Sequence, residues 1–295
     1  MLYFLINPNA GNGKGKRVWH GIKHAVDKRD EAYIDLWTRF QGHSEELLRE
    51  IEFQKGDRVI VIGGDGTVHE VLNALAEKTV PVGIIPAGSG NDFARGLKIP
   101  SETGEALHKS LEGNVVSIDA GFLGDRLFIT AAGAGFDGEV AKITNRSWYK
   151  KWFNKINAGH LSYLVSVIRV LIGYKPTSVT LKVDGQSFTY NRVWLIATAN
   201  MPFYGGGIMI CPDATETDGK LDVCVIHGVN KLKAITVLPK ALKGSHVGSK
   251  GVTVHKGEKI GVTSNRPMTI QCDGEMTGST PAQIRLQRKA VMVIK

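Results

Sequence analysis

The stretch "VIGGDGTVHEVLNAL", residues 61–75, decides the fold class of this chain. A β-branched apolar run leads into three glycines and one aspartate, and a helical pattern follows at once. A strand that passes through a short turn into a helix is typical of a βαβ unit, in which neighbouring strands run parallel. The helical pattern is the i, i+3, i+4, i+7 spacing of Val68, Val71, Leu72 and Leu75.

The same alternation extends over the first 120 residues. Helical patterns separate five runs that favour strands, at 3–7, 32–38, 58–64, 82–88 and 115–121. We therefore predict an α/β N-terminal domain at 1–120, with a doubly wound, mostly parallel sheet and helices on both faces.

The pattern changes after residue 120. The second half is rich in strand patterns separated by turn signals, and "VDGQ" at 183–186 predicts a hairpin turn. Two helices are expected near 158–172 and 231–242. We predict a mainly antiparallel β C-terminal domain at 121–283, with a final strand at 284–295 that returns to the first domain.

Composition limits the class of protein. The chain has 295 residues, 42% of them hydrophobic, which suits a globular protein with two cores. We expect neither a signal peptide nor a transmembrane helix. The three cysteines contain no CxxC pair, so a disulfide framework and a structural zinc site are not expected, and a reducing cytoplasm is the default compartment.

The net charge of +9 is unevenly distributed. Residues 1–120 hold 14 Lys and Arg against 17 Asp and Glu, whereas residues 121–295 hold 23 against 11. The basic second half favours an anionic partner: nucleic acid, a phospholipid surface or a phosphorylated metabolite.

Three glycine-rich turns follow strands of the first domain, at 7–15, 63–67 and 86–92. Glycines let backbone N–H groups approach phosphate oxygens, although none of the turns fits a Walker loop or G-x-G-x-x-G. Asp65 would repel a nucleotide unless a magnesium ion bridged the carboxylate and the phosphates. The alternative is structural: Asp65 forms an Asx-turn or caps the helix, or Thr67 caps it. Asp92 poses the same choice.

Two acids lie in the C-terminal motif "QCDGEM". Asp273 and Glu275 flank Gly274 after an apolar strand, and phosphorylation of an alcohol needs a carboxylate that accepts the hydroxyl proton. Spacing alone favours the simpler interpretation, a hairpin turn with solvated acids.

The motifs together resemble the diacylglycerol kinase catalytic-domain family of soluble bacterial lipid kinases. "NPNAG", "GGDGTVHEV", "PAGSGNDFARGL", "GFDGEV", "GGGIMICPDATETDGKLDV" and "CDGE" follow the family's order over nearly the whole chain. The resemblance implies an ATP- and Mg²⁺-dependent lipid kinase that transfers the γ-phosphate of ATP to a lipid hydroxyl. Diacylglycerol, giving phosphatidic acid, is the family's best-known substrate and the one expected here, and phosphatidylglycerol, undecaprenol, sphingoid bases and ceramide, which have related kinases, stay open as alternatives.

The resemblance also implies roles for particular residues. Asp92 and Asp119 match acids that support a magnesium–water network, and Asp273, or else Glu275, matches the catalytic base. Residues that match nucleotide contacts are Asn7, Pro8, Asn9, Ala10, Gly11, Thr38, Gly64, Asp65, Gly66, Thr67, Val68, His69, Glu70 and Ser89, where many members have threonine in place of Ser89.

A structural-metal loop is implied at 212–223. Asp218 would supply its carboxylate, and Thr215 and Lys220 would supply backbone carbonyls, to Mg²⁺ or Ca²⁺. A type I turn at "TDGK" would use the same residues, and the two interpretations are compatible.

Basic residues and aromatics predict contact with an anionic membrane. Residues 142–175 contain seven Lys and Arg, six aromatics and no acid, and residues 227–266 contain eight Lys and Arg against one Glu. The alternative is a solvated basic face. We expect a cytoplasmic protein peripherally associated with the inner face of the membrane and no nucleic-acid partner. The sequence leaves the oligomeric state open, and a homodimer is the state that the resemblance implies, because dimers are common in the family.

Two other functions compete with the lipid kinase. One is a kinase of a soluble substrate, related to NAD kinases, although its later glycine–threonine substrate motif has no counterpart here. The other is a non-catalytic basic module that binds nucleic acid or membranes, against which the acids at 65, 92, 273 and 275 argue.

Overall fold

The computed structural model describes residues 1–76, 78–146 and 169–295. The chain divides into two compact units, and each is described by itself. Unit 1 comprises Met1–Ala120 and Gln287–Lys295, and unit 2 comprises Gly121–Leu286.

Unit 1 is a mostly parallel sheet with helices between its strands, and β5 pairs with β18 at its edge. Its sheet has the order β2-β1-β3-β4-β18, and each of these neighbouring pairs is parallel. Its elements are β1 (Leu2–Ile6), α1 (Ala10–Asp27), β2 (Tyr33–Trp37), α2 (His43–Arg49), β3 (Arg58–Gly63), α3 (Asp65–Leu75), β4 (Val82–Pro86), α4 (Asp92–Gly96), α5 (Thr103–Glu112), the first part of β5 (Val115–Leu123) and the last part of β18 (Ala282–Ile294).

The order of these strands creates a topological switch point. The chain moves from β1 outward to β2, then crosses back past β1 to β3 and on to β4. Because parallel crossovers are right-handed, α1 and the α2–α3 pair cover opposite faces of the sheet. The contacts agree, since α1 packs with α5 and α2 packs with α3. The loops after β1 and β3 therefore leave the sheet in opposite directions, and ligands bind at such a point in open α/β sheets.

Apolar sequence explains the central strands of this sheet. All five residues of β4, and all of β3 except Arg58, are buried. Strands covered on both faces are near-continuous runs of β-branched residues, as "RVIVIG" is here.

Unit 2 is mainly antiparallel. One sheet joins the first part of β18 to β15, β8 and β9, and a second has the order β14-β13-β10-β7-β16-β17. Its elements are the end of β5, β6 (Arg126–Phe128), β7 (Ala131–Gly135), α6 (Phe136–Arg146), β8 (Thr177–Val183), β9 (Gln186–Val193), β10 (Leu195–Ala199), β11 (Phe203–Tyr204), β12 (Ile208–Met209), β13 (Leu221–Ile226), α7 (Lys231–Ala241), β14 (Val252–Gly257), β15 (Lys259–Ser264), β16 (Thr269–Cys272), β17 (Glu275–Ser279) and β18.

Two Asp-Gly hairpins of the same kind join strands of unit 2. Asp184 and Gly185 connect β8 to β9, and Asp273 and Gly274 connect β16 to β17. All four residues have positive φ, between 46° and 91°, as a two-residue type I′ turn requires. The hairpin predicted at 183–186 is thereby confirmed, and the "DGE" motif is a tight turn.

The predicted fold class is confirmed: a mostly parallel α/β unit precedes a mainly antiparallel β unit. The helix predicted at 231–242 is observed as α7. Of the helix expected at 158–172, only residues 169–172 fall among the described residues, and they are helical, as is residue 173. In the described part of the chain, no helix combines the length and hydropathy needed to span a bilayer.

Candidate active site

Asn7 and Thr67 join the two loops at the switch point of unit 1. Asn7 follows β1, and its side-chain amide nitrogen donates to the Thr67 hydroxyl at 2.9 Å. The Asn7 side-chain oxygen accepts from the Asn9 backbone N–H at 3.0 Å. One side chain thus fixes both the loop after β1 and the first turn of α3, 60 residues further along the chain.

Glycines let the loop after β4 approach the loop after β3 closely. A Cβ added at Gly88 would lie 2.5 Å from the Cα of Gly64, and one at Gly64 would lie 2.8 Å from the Cα of Gly88. The loop after β1 also comes near, because a Cβ at Gly11 would lie 2.3 Å from the Ala87 carbonyl oxygen. Residues 11–13 have left-handed backbone conformations, so the regular part of α1 begins after Gly13. All three predicted glycine turns therefore meet at one edge of the sheet.

The N-terminus of α3 carries no side-chain cap. Its N-cap is Gly64, in an extended conformation, and Asp65 is the first helical residue. The alternatives in which Asp65 or Thr67 caps this helix are therefore wrong, because the Thr67 hydroxyl is engaged by Asn7 instead. A helix N-terminus that no side chain caps presents backbone N–H groups and partial positive charge, which suit a phosphate.

Asp65 and Asp92 are brought together at the start of α4. Asp65 Oδ1 accepts from the Phe93 backbone N–H at 3.0 Å. Asp92 is buried and pairs with the Arg95 guanidinium, which also donates to the Gly90 carbonyl at 2.9 Å. Asn91 closes the loop between β4 and α4. Its side chain accepts from the Gly88 N–H and donates to the Gly88 carbonyl.

Asp119 is held by the last strand of the chain. Its side chain is buried, and its Oδ1 accepts from the Lys289 backbone N–H of β18 at 2.8 Å. Among the residues that the structure describes, no three His, Cys, Asp or Glu side chains form a metal-binding group. A magnesium ion here would take its remaining ligands from phosphate and water, as Mg²⁺ usually does.

The other predicted nucleotide residues divide into exposed and buried groups. Asn9, Gly66 and Ser89 are exposed, and Pro8 and Ala10 are partly buried in the turn after β1. Thr38 is buried after β2, with its N–H donating to the Ile6 carbonyl at 2.9 Å.

The predicted residues 68–70 of α3 have buried side chains. Val68 and His69 are buried, and the His69 ring contacts Asn73. Glu70 Oε1 accepts from the Gly42 N–H at 2.8 Å, which ties α3 to the N-cap of α2. These side chains pack α3 in place beneath the glycine loops.

In unit 2, the Asp273 carboxylate lies in a cradle of donors. Oδ1 accepts from the backbone N–H groups of Thr130 and Ala131 at 2.9 and 3.1 Å and from the Thr130 hydroxyl. Oδ2 accepts from the Ile129 N–H at 2.8 Å. The Asp273 N–H in turn donates to the Ala131 carbonyl at 3.0 Å. The turn is thus clamped against the segment 129–131, and Asp273 is not a merely solvated acid.

Glu275, two residues further on, pairs with Arg126. The Arg126 guanidinium lies 2.7 Å from Glu275 Oε2, and both side chains are partly exposed. Sequence reasoning missed Arg126, because 149 residues separate the partners and "GDRLF" carries no motif.

The loop predicted to hold a metal is closed around Asp218 and a lysine. Asp218 Oδ1 accepts from the Lys220 N–H at 2.9 Å, and the Asp218 N–H donates to the Thr215 carbonyl at 3.4 Å. The Lys256 ammonium lies 3.9 Å from Asp218 Oδ2 and 3.2 Å from Asp222 Oδ2. The three predicted residues are therefore adjacent in one turn, and a cation already faces their carboxylate.

All three cysteines are unpaired thiols in the interior. Burial raises the pKa of Cys224 and of Cys272 to about 12, so both stay protonated near neutral pH. Of the basic aromatic segment 142–175, residues 147–168 lie outside the described residues.

Comparison with known proteins identifies the family. Residues 1–123 match the model of the diacylglycerol kinase catalytic domain, and residues 130–295 match that of the YegS C-terminal NAD kinase beta sandwich-like domain. The second match alone spans more than half of the chain. The protein is a member of the lipid kinase family that combines these two domains.

Individual relatives agree. YtlR of Bacillus subtilis is 30% identical over 294 residues, covering 96% of this chain and 95% of its own length. A diacylglycerol kinase of Mycobacterium tuberculosis H37Rv is 29% identical, covering 99% and 94%. A crystal structure of a Bacillus anthracis diacylglycerol kinase superposes with a TM-score of 0.74 at 23% identity, covering 99% of this chain and 96% of that one. That structure supports the fold alone.

Proposed function

We propose that the protein transfers the γ-phosphate of ATP to the hydroxyl of a membrane lipid, with diacylglycerol as the substrate and phosphatidic acid as the product. The observation that carries this proposal is the convergence of three glycine loops, with Asp65 among them, at the switch point of unit 1. Binding of a nucleotide there uses the loop backbones and the start of α3. The choice of a lipid as the acceptor rests on the names of its relatives, which are a lipid kinase and diacylglycerol kinases.

Magnesium fits the acids at this edge. Asp65 accepts from the Phe93 N–H at the start of α4, and the neighbouring Asp92 is paired with Arg95, so a cation bound at the phosphate-binding loops would offset the charge of Asp65. A bound Mg²⁺ would bridge phosphate oxygens and neutralise the charge that develops during transfer. Asp65 and Asp92 would hold it, with Asp119 supporting its water shell.

Unit 2 supplies the proton acceptor in this proposal. The type I′ turn and the hydrogen-bond donors of residues 129–131 together fix the orientation of the Asp273 carboxylate. Each donor also occupies a lone pair that a hydroxyl proton would otherwise use. Glu275, held by Arg126, is therefore the alternative acceptor, and substitution of each decides between them.

The outward face of α7 (Lys231–Ala241) suits an anionic lipid surface. The inward face is formed by Ala234, Val237 and Ala241, all buried, whereas Leu232 is 75% exposed between the exposed Lys231 and Lys233. An apolar side chain flanked by lysines is the arrangement of helices that lie in a membrane interface.

A second exposed aliphatic side chain adjoins α7. The Lys231 ammonium donates to the Ile172 carbonyl at 2.7 Å, and Ile172 is 72% exposed. No Asp or Glu occurs between residues 223 and 257, so no acid on this stretch opposes an anionic surface. We call Ile172, Lys231, Leu232, Lys233 and Lys240 the α7 surface, and propose that it docks on the cytoplasmic face of the membrane.

The loop at 212–223 would hold a structural divalent ion. Its oxygen donors are of the hard type that Mg²⁺ and Ca²⁺ prefer. Chelation followed by dialysis should lower the melting temperature of the wild-type protein and leave that of Asp218→Ala unchanged. If chelation has no effect on the wild type while Lys256→Met lowers its melting temperature, the lysine alone holds the loop.

The homodimer that the resemblance implies stays a prediction.

A panel of acceptors tests the substrate. Purified protein with ATP labelled on the γ-phosphate would be given diacylglycerol, phosphatidylglycerol, undecaprenol, a sphingoid base or ceramide in mixed micelles, and NAD in solution. The proposal predicts labelled phosphatidic acid as the main product. Labelled NADP without a lipid product would favour the soluble-substrate alternative, and the absence of transfer with retained vesicle binding would favour a non-catalytic module.

A further inference from the structure

The side chain of Asp137 lies in the interior of unit 2 behind the Asp273–Gly274 turn. Asp137 is in the first turn of α6 and is only 7% exposed. Its Oδ2 accepts from Gln271 Nε2 at 3.1 Å, and its Oδ1 accepts from the Gly138 N–H at 2.9 Å. The motif "GFDGEV" that contains Asp137 has no role in the function described above.

Gln271 connects Asp137 to the turn. Gln271 is buried on β16, and its Oε1 accepts from the Gly274 N–H at 2.6 Å. The two ends of its amide thus face opposite partners, an acceptor at Asp137 and a donor at Gly274. Because an ionised carboxylate only accepts, Asp137 determines which end of the amide faces the turn.

The space around Asp137 is formed by glycine. A Cβ added at Gly133 on β7 would lie 1.7 Å from Asp137 Oδ2, and one at Gly138 would lie 2.4 Å from the Thr269 carbonyl oxygen. The carboxylate therefore sits directly over the backbone of β7, with β16 beside it. Burial raises the pKa of Asp137 to about 6, and the bonds from Gln271 and Gly138 oppose that rise. Either protonation state leaves an oxygen that accepts from Gln271 Nε2.

We infer that Asp137 is a positioning residue for the Asp273–Glu275 turn, acting through Gln271. Residues 129–131 restrain Asp273 through its carboxylate and its backbone N–H, and Gln271 adds a second restraint by accepting from the Gly274 amide. The first restraint fixes Asp273 itself, and the second fixes the next residue of the turn. The inference rests on the proposed role of this turn in proton transfer. A small displacement of a reacting group lowers the reaction rate strongly. Loss of the second restraint should therefore lower kcat.

A charge swap of unchanged shape tests the inference. In Asp137→Asn the new side-chain NH₂ can donate to Gln271. Either Gln271 Nε2 then has no acceptor at position 137, or the Gln271 amide flips and its Nε2 faces the Gly274 N–H. In Gln271→Glu two carboxylates face each other. In the double variant, the amide introduced at position 137 would donate to the carboxylate introduced at position 271, which would still accept from the Gly274 N–H. Each single variant should lower kcat by roughly 10- to 100-fold with the KM for ATP nearly unchanged, and the double variant should recover most of the loss.

Hydrogen exchange of the Gly274 amide supplies a readout independent of activity. We expect faster exchange in each single variant and a return toward the wild-type rate in the double variant. Asp184→Asn, in the other Asp-Gly turn of unit 2, is the matched control and should leave both exchange at Gly274 and kcat unchanged.

The two readouts separate the inference from the proposed function. If the double variant recovers neither exchange nor kcat, Asp137 is only a core residue and the inference is overturned. If exchange responds as expected while kcat does not change, Asp137 positions the turn but the turn is not catalytic. If Asp137→Asn fails to fold, the comparison of Gln271→Glu with the double variant decides the matter alone.

Discussion

At the residue scale, Asp65 combines an observed structural contact with a proposed electrostatic role. Its Oδ1 holds the Phe93 N–H, and its charge lies where phosphate is expected. Asp65→Asn keeps an oxygen for the Phe93 N–H but removes the charge. Turnover should fall by a factor on the order of 10²–10³, as when one stabilising charge or donor is lost from an active site. Initial rates over a range of Mg²⁺ concentrations measure this.

Asp57→Asn is the control for that variant. Asp57 precedes β3, at the other end of the same strand, and pairs with the N-terminal amine at 3.3 Å. Its variant should lose some stability and keep the wild-type dependence on Mg²⁺. Near wild-type turnover of Asp65→Asn with unchanged Mg²⁺ dependence would contradict the role given to Asp65.

The two Asp-Gly turns allow an internal comparison for the base. Asp184 accepts from the backbone N–H groups of Glu258 and Lys259, much as Asp273 accepts from 129–131. Asparagine at either position places an amide against a donor, which costs about 1–3 kcal/mol of stability. Both variants should lose comparable stability in urea unfolding. Only Asp273→Asn should also lower kcat, by roughly 10²–10⁴-fold, which is the usual contribution of a general base.

Glu275→Gln decides between the two acids. Glu275→Gln should lower kcat less than Asp273→Asn does if Glu275 has only a supporting role and Asp273 accepts the proton. A larger loss in Glu275→Gln would exchange the two roles. Equal kcat values for wild type, Asp273→Asn and Glu275→Gln would make the turn structural.

Asp137 should give the protein a measurable pH dependence of stability. Burial raises its pKa to about 6 from the ordinary value of 3.8, so the folded state favours the protonated form. This contribution to stability is complete below the unfolded pKa and is lost as the pH rises through about 6. Asp137→Asn cannot ionise. The free energy of unfolding of wild type relative to this variant should therefore fall by about 2 kcal/mol between roughly pH 4.5 and 7.5. A difference that is constant with pH would contradict it.

The sequence predicts single residues where local chemistry is unusual. Glycines at 64 and 88 stand out next to strands, and the structure shows why no side chain fits at either. The bonds from Asn7 to Thr67 and from Arg126 to Glu275 were not predictable, because they join residues 60 and 149 positions apart. Nothing in local spacing marks such pairs; the topology of the strands creates them.

At the scale of elements, α7 yields the sharpest test of membrane binding. Lys233→Glu with Lys240→Glu reverses two charges on the α7 surface, and each basic residue near an anionic surface contributes about 1 kcal/mol. Partitioning onto vesicles that contain phosphatidylglycerol should fall by at least roughly tenfold. Sedimentation with vesicles measures this, and the apparent KM for lipid should rise.

A matched pair of lysines on strands of unit 2, rather than on α7, provides the control. Lys182 and Lys259 are exposed on β8 and β15. Lys182→Glu with Lys259→Glu makes the same change in net charge and should leave partitioning much closer to wild type. Equal losses in the two double variants would mean that net charge alone attracts the protein, and the α7 surface would have no special role.

Element prediction succeeded where turn chemistry or periodicity is strong. "VDGQ" indicates a type I′ turn, and the turn is there. The start of α3 was harder, because Asp65 and Thr67 are both good capping residues. Gly64 became the N-cap instead, since Asn7 from another strand engages the Thr67 hydroxyl and Phe93 engages Asp65. A capping preference is local, whereas these partners come from distant parts of the chain.

At the scale of the whole molecule, each unit has a distinct task in this account. Unit 1 has the glycine loops and the acids proposed to bind ATP and Mg²⁺, and unit 2 has the turn proposed to supply the base and the proposed membrane-binding α7 surface. The charge follows the same division, since the basic excess lies after residue 120. The two family models match residues 1–123 and 130–295, and the fold class was predictable because the strand and helix patterns change near residue 120.

The most direct test of the central claim is the initial rate at which purified protein transfers label from the γ-phosphate of ATP to diacylglycerol in mixed micelles. We expect labelled phosphatidic acid whose formation requires Mg²⁺ and is nearly abolished in Asp65→Asn, while Asp57→Asn stays active. Label that appears only in inorganic phosphate or in a soluble acceptor, or a rate of lipid phosphorylation that is the same in Asp65→Asn and wild type, would contradict it.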